Sequence, residues 1–392
     1  MYKIKTGMKT ILLSTILVML VIGITNGTSI SGDSSVLDKG VNKYNHGNFL
    51  GAIIDFDEAV QKDPKNPKTW FNRGLAKSAL GDNEGAIEDF NETLNLDHNF
   101  YEAYVKRGNT KLTLNDYQGA KEDYSKALII NGKDAEALLH RADAKFKTSD
   151  YDGAIKDYSY LIDHQIQNNF EVFYKRGLAR NEYGHFREAM ADFSKAIELY
   201  PKNSYAYFYR AFSRSHSNDY KGAIEDYTKV IALDPKDKIS HYNRAYSKRK
   251  LKDFNGSIAD YTKAIELDPK FEEAYYHRAE VRGLIGDLEG GIKDFNEVLT
   301  HFPNSKEAHF NRANFCMELE RYKAAIDDFT KVIEIDPLDK EAYYFRGVAR
   351  YDIKDMEGAC LDLKKAQELG EPKAAEMIKR TCKKDVHQLI VK

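Results

Sequence analysis

The stretch Asp219 to Pro235, DYKGAIEDYTKVIALDP, returns throughout the chain with the same residue types in the same places. It reappears as NFLGAIIDFDEAVQKDP from Asn48, HFREAMADFSKAIELYP from His185, DFNGSIADYTKAIELDP from Asp253 and RYKAAIDDFTKVIEIDP from Arg321. Before each copy lies a second segment, such as SYAYFYRAFSRSHS from Ser204 to Ser217, with a basic residue followed by Gly or Ala at its middle. The two segments together make a unit of 34 residues. Such a chain builds its core between neighbouring units, so its 392 residues do not translate into a number of globular domains.

Ten units follow one another from residue 33 to 372, with breaks after 66, 100, 134, 169, 203, 237, 271, 305 and 339. The first segments carry a column of small residues: Gly40, Gly74, Gly108, Ala142, Gly177, Ala211, Ala245, Ala279, Ala313 and Gly347. The second segments carry another, running from Ala52 to Ala359 with Ser257 and Gly291 as its variants. Four residues later stands an aromatic column, Phe56, Phe90, Tyr124, Tyr158, Phe193, Tyr227, Tyr261, Phe295 and Phe329, which Leu363 breaks in the tenth unit. A spacing of four puts the second small residue and the ring on one helical face, and the small residue of the first segment lets two helices approach until the ring covers it. Each unit therefore reads as a helical hairpin. Turns such as Gly47-Asn48 and Asn218-Asp219 separate its helices, and Asp-Pro pairs such as Asp234-Pro235 end the second.

This pattern resembles the tetratricopeptide repeat family over nearly the whole chain beyond its N-terminus. The Gly/Ala columns, the Phe/Tyr column, the closing Pro64, Pro201, Pro235, Pro269, Pro303 and Pro337, and Trp70 carry the resemblance. It implies an all-α fold, a right-handed superhelical solenoid of helix-turn-helix hairpins. It also implies a concave groove, lined mainly by the first helices, that takes peptides or protein partners. In the place the family uses for that groove, units one to four carry Leu37, Phe71, Val105 and Leu139, whereas units five to ten carry Tyr174, Phe208, Tyr242, Tyr276, Phe310 and Tyr344. Phe212 and Tyr246 thicken this aromatic stripe, and His216, Arg249 and Lys250 lie beside it. Aromatic anchors with arginine nearby are what peptide-binding hot spots use, so these residues are the candidate partner-binding groove. The alternative is that the rings pack against adjacent first helices. The family's clamp for a C-terminal carboxylate is not recognisable, because the places for its lysines are apolar or aromatic.

The chain departs from the family just before the first small column, where it carries Lys39 and then Arg73, Arg107, Arg141, Arg176, Arg210, Arg244, Arg278, Arg312 and Arg346. A second base follows four residues later in every unit except the ninth, which has Cys316. Each second segment has an aspartate just before its ring, from Asp55 to Asp362. We expect an internal ladder in which arginine from the same or an adjacent unit bridges each aspartate, an arrangement suited to the planar guanidinium fork. The competing reading is a basic stripe for an acidic ligand.

The ends differ from the array. Lys3, Lys5 and Lys9 precede an apolar run from Ile11 to Ile24, which with Thr25-Asn26-Gly27 reads as an export signal over residues 1–27. At 14 residues the run falls short of the roughly 20 that cross a bilayer, so the expectation is a cleaved, periplasmic or secreted protein, with retention as a membrane anchor the alternative. Residues 28–35 form a polar linker, and 373–392 a capping helix with a tail, Ala374, Met377, Ile378 and Cys382 sharing one helical face. The three cysteines are too few for a disulfide framework and wrongly spaced for zinc. Cys360 and Cys382 either pair in an oxidising compartment and staple the end of the array, or remain separate buried thiols.

A net charge of -2 gives no basic surplus for nucleic acid or anionic lipid. The sequence has no phosphate-cradling Gly-rich loop with lysine, no His-Glu-x-x-His, no Cys-x-x-Cys and no Gly-x-Ser-x-Gly elbow, so neither an enzyme, a cofactor nor a small-molecule substrate is expected. The reading is a non-enzymatic exported adaptor, of a bacterial envelope, that holds a peptide or protein segment. The alternative is an envelope assembly or secretion component recognising glycan or polymer through the same aromatics.

Overall fold

The computed structural model describes residues 35–382, and the expected export segment and the tail beyond Cys382 lie outside them. Among the described residues every regular element is helical, and the helices come in consecutive pairs. The chain divides into two compact units, one ending at Ser217 and the other beginning at Asn218. The first contains α1 (Val36–Asn45) with α2 (Phe49–Lys62), α3 (Pro67–Ala79) with α4 (Asn83–Leu96), and α5 (Tyr101–Thr113) with α6 (Tyr117–Ile130). It continues with α7 (Ala135–Lys147) and α8 (Tyr151–Asp163), then α9 (Phe170–Tyr183) and α10 (Phe186–Leu199), and ends on α11 (Ser204–His216). The second opens on α12 (Tyr220–Leu233) and continues with α13 (Lys238–Lys250) and α14 (Phe254–Leu267), then α15 (Glu272–Leu284) and α16 (Leu288–His301). It closes with α17 (Lys306–Glu318) and α18 (Tyr322–Ile335), α19 (Lys340–Asp352) and α20 (Met356–Glu368), and the short α21 (Ala374–Thr381).

Local chemistry sets the hairpins. Each turn passes through one residue with positive φ, at Gly47, Gly81, Asn115, Ser149, Gly184, Asn218, Lys252, Gly286, Glu320 and Lys354. The next residue caps the second helix. Asn48, Asp82, Asp116, Asp150, Asp219, Asp253, Asp287 and Asp355 each accept from the backbone N–H of a glycine three residues on. Cap and glycine go together, since a Cβ on Gly256 would stand 2.1 Å from Asp253 Oδ2. Where the glycine is absent, so is the cap: His185 and Arg321 make no capping bond, and Glu188 and Ala324 stand three residues on.

The small columns do what their spacing implies. A Cβ on Gly74 would lie 2.8 Å from Phe90 Cε1, and one on Gly177 the same distance, 2.8 Å, from Phe193 Cε1. The covering rings are fully buried. One irregularity is shared between two columns. Phe315 stands where the other first helices carry residues such as Ala76, Ala144, Ser247 and Ala349, and its ring occupies the space left by Gly283 and Gly291 of the preceding repeat. A Cβ at Gly283 would come within 2.4 Å of that ring and one at Gly291 within 2.3 Å.

The charged columns form the expected ladder, and the guanidinium reaches both its own repeat and the one before. Arg278 donates through Nε (3.0 Å) and Nη2 (2.7 Å) to Asp294, while its Nη1 donates to Thr262 of the preceding repeat at 2.8 Å. The same fork joins Arg73 to Asp89, Arg107 to Asp123, Arg141 to Asp157, Arg176 to Asp192, Arg244 to Asp260, Arg312 to Asp328 and Arg346 to Asp362. The second base meets the same carboxylate, as in Lys77–Asp89 (3.0 Å), Lys248–Asp260 (2.8 Å) and Arg350–Asp362 (2.8 Å). In the ninth repeat, where Cys316 takes that place, His309 Nδ1 meets Asp328 at 2.7 Å. Burial works against the Asp260 charge, yet His241, Arg244 and Lys248 outweigh it and hold the carboxyl well below its usual range. The first-helix ring three residues before the arginine lies against its guanidinium, Trp70 with Arg73 at 4.7 Å and Tyr275 with Arg278 at 5.5 Å. The basic column is thus occupied by the chain's own aspartates, and a stripe free for an acidic ligand is not what it forms.

Two outcomes follow from this packing. Gly291→Ala destabilises by about 1–3 kcal/mol through overpacking, and adding Phe315→Ala costs less than the sum of the two single changes, measured by urea denaturation in a double-mutant cycle. Asp294→Ala strands a buried guanidinium and costs about 3 kcal/mol, whereas Arg321→Ala, which removes the exposed pair with Glu289, costs less than about 1 kcal/mol in the same assay.

Candidate interaction surface

The first-helix residues singled out in the sequence fall into two groups. Phe208, Phe212 and Tyr242 are 1%, 6% and 2% exposed, so they belong to the core rather than to a ligand-facing stripe. Their rings pack as the alternative reading expects: Phe208 edge-on to Tyr209 at 5.4 Å, Phe212 against His216 at 4.1 Å, and Tyr242 between Tyr261 (5.5 Å) and Phe271 (5.1 Å). Tyr174, Tyr246, Arg249, Tyr276, Phe310 and Tyr344 are half-buried, and His216 and Lys250 are exposed. Tyr174 stacks on Phe170 at 5.4 Å, and burial pushes its phenol well above the ordinary value. Phe310 sits edge-on to Phe329 at 5.6 Å and to Phe345 at 6.0 Å, and Tyr344 to Phe345 at 5.3 Å.

A polar band beside these rings was missed in the sequence. In the unit ending at Ser217, Lys106 on α5 meets Glu136 on α7 at 2.8 Å, and Asn109 donates to the same carboxylate at 2.7 Å. Lys175 on α9 reaches back to Asp143 on α7 at 2.7 Å. Tyr124 donates to Asn109 at 2.7 Å and Tyr158 to Asp143 at 2.5 Å, tying the band to the buried aromatic column. Burial holds the His140 imidazole below its ordinary pKa despite Asp143 and Glu136 nearby, which favours its neutral form. A signal was present in the sequence: tyrosine in place of phenylalanine in the aromatic column requires a hydroxyl partner when buried, and Asn109 and Asp143 occupy equivalent places on the first helix.

In the unit beginning at Asn218 the equivalent place in the repeat of Tyr261 holds Tyr246, and the buried Tyr261 hydroxyl makes no hydrogen bond. Around it, Arg249 on α13 meets Glu280 on α15 at 2.8 Å, and His277 Nδ1 meets the same carboxylate at 2.7 Å. Burial opposes the Glu280 charge, and the contacts with His277 and Arg249 outweigh it, so its carboxyl titrates below the usual range. Asn311 on α17 donates to the Tyr276 hydroxyl at 2.8 Å, and Lys250 lies 5.3 Å from the Tyr246 ring. The face therefore offers half-exposed tyrosines and a cation held by a carboxylate, while the Tyr261 hydroxyl is closed off from it. No group of three or more metal-ligating side chains is assembled among the described residues.

Models of the tetratricopeptide repeat match residues 56–88, 273–305 and 307–338, and a model described as the ETO1 C-terminal domain matches residues 101–283. None of the curated proteins matches the chain. Among solved structures, the C-terminal part of a repeat-containing protein from Cytophaga hutchinsonii is 19% identical, with a TM-score of 0.52 over 61% of this chain and 97% of that one. A tetratricopeptide repeat protein from Parabacteroides merdae is 21% identical, with a TM-score of 0.46 over 63% of this chain and 98% of that one. At these identities the likeness concerns the fold alone.

The depressed Glu280 carboxyl has a pH signature. Its contribution to stability is complete above the ordinary glutamate pKa of about 4.3 and is lost as pH falls through the lower folded-state value. Glu280→Gln therefore lowers the thermal midpoint at neutral pH, and the gap from the parent protein narrows as the pH falls below about 4 in a calorimetric pH series.

Proposed function

Because the chain belongs to the tetratricopeptide repeat family, whose fold typically serves as a scaffold for contacts between proteins, we propose that it is a non-catalytic adaptor binding a protein segment along its first helices. The observation that carries this reading is the face of α13, α15 and α17. Half-exposed Tyr246 and Tyr276 stand there with Arg249 and the exposed Lys250. Aromatic rings give large contact area at small entropic cost, and arginine beside them is a recurrent hot-spot residue. The segment we propose is extended, with an apolar side chain against the tyrosines and an acceptor group at the exposed Lys250 ammonium.

The adaptor acts, in this proposal, outside the cytoplasm of a bacterial cell. The basic residues and apolar run at the N-terminus support that reading, as does the bond between Cys360 and Cys382, which is at home in an oxidising compartment.

Peptide-array and glycan-array binding tests the proposal. Peptide ligands are expected, with affinity falling at least about tenfold in Tyr246→Ala/Arg249→Ala, while Leu361→Ala on α20 leaves binding unchanged. Peptide binding undiminished in the double variant, or glycan ligands alone, overturns it.

A further inference from the structure

The last helix of the described residues occupies the place of an eleventh first helix. α21 packs on α20 and touches α19, as α19 packs on α18 and as first helices touch across repeats in the pairs α3 with α5 and α5 with α7. No second helix follows it among the described residues, and only Ala374 and Thr381 of its side chains are buried. The Thr381 hydroxyl is shut away without a hydrogen bond. With 8 residues, α21 is below the roughly 12 at which an isolated helix becomes even marginal in water.

A covalent bond adds to this packing. Cys360 stands in the column Ile53, Ile87, Lys121, Ile155, Met190, Ile224, Ile258, Ile292 and Ile326, directly after the small residue of the second helix. Elsewhere such an isoleucine packs onto the next repeat, as Ile292 does against the cluster of Ala313, Cys316, Ala325 and Phe329. At the end of the array the sulfur of Cys360 bonds instead to Cys382, the residue that closes α21, with the two Cα atoms 5.4 Å apart. A covalent bond stands where other repeats have an apolar contact, at a junction where only Ala374 and Thr381 of the incoming helix are buried.

We propose that the Cys360–Cys382 bond is a redox latch on the terminal helix. Closed, it keeps α21 over the end of the last repeat. A dithiol reductant opens it by a two-electron exchange: the Sγ–Sγ bond breaks, each cysteine sulfur leaves as a thiol carrying one proton, and the dithiol becomes a disulfide. α21 then detaches, and the flank of α19 and α20, which in every preceding repeat is covered by a first helix, becomes accessible. Cys316 takes no part, since it is buried on α17.

The test is hydrogen exchange on the full chain with and without dithiothreitol, preceded by a thiol count in denaturant. One free thiol is expected before reduction, and three overturn the proposal. On reduction the amides of α21 exchange at least about tenfold faster while those of α13 to α16 keep their rates, and Cys382→Ser reproduces this without reductant. Unchanged exchange at α21 overturns the latch. So does acceleration throughout both units, which makes the bond a global staple and not a latch.

Discussion

A carboxylate buried beside a ring, in each hairpin from the second to the ninth, is the arrangement on which the rest depends. An unpaired aspartate at 2% exposure, as at Asp294, is untenable in a protein interior. The arginine fork that satisfies it uses two of its donors within the hairpin and directs the third to the repeat before, Thr262 in the case of Arg278. One residue therefore closes a hairpin and fixes its register on its neighbour. Replacing such an ion pair by apolar residues of equal volume need not reduce stability, so the gain is in specificity: only one sliding position brings fork, carboxylate and neighbouring hydroxyl together. The ninth repeat shows the requirement from the other side, since the lost second base at Cys316 is matched by His309 against the same carboxylate.

The first helices repeat this logic on their outer flank with less regularity. Lys106 with Glu136, Lys175 with Asp143, and Arg249 with Glu280 each join consecutive first helices, but the residue types and direction vary from repeat to repeat. Where the buried tyrosine has a partner, at Asn109 and Asp143, the band is internally complete. Where it has none, at Tyr261, the hydroxyl stays buried, and the half-exposed Tyr246 and the Arg249–Glu280 pair take the place of the band. The regular ladder makes the scaffold, and the irregular band distinguishes one part of the surface from another.

Two departures from the repeat become intelligible as compensations. Phe315 is too large for its column and Gly283 with Gly291 make the room for it, so a pair of exceptions in adjacent repeats amounts to one packing solution. Cys360 departs from a column that is isoleucine in seven repeats, and its contact is made by a bond to Cys382. Both fit a chain whose neighbours are chosen by side-chain complementarity at each junction.

The sequence by itself determined the hairpins, their number and their frame. Turn glycines, Asx caps with glycine three residues on, small columns and closing prolines are local or fixed-period features, and a helix converts fixed spacing directly into a shared face. It also determined that the arginines and aspartates would meet, because their columns lie on helices the small residues force together. Only the tertiary structure decided which first-helix rings remain available: Tyr242 and Tyr246 are four apart on one helix, yet one is 2% exposed and the other half-buried. That depends on how far the preceding and following first helices lean over each ring. Tyr242 is covered by Phe271 and His277, 29 and 35 residues further along the chain, and no periodicity within a single helix encodes that.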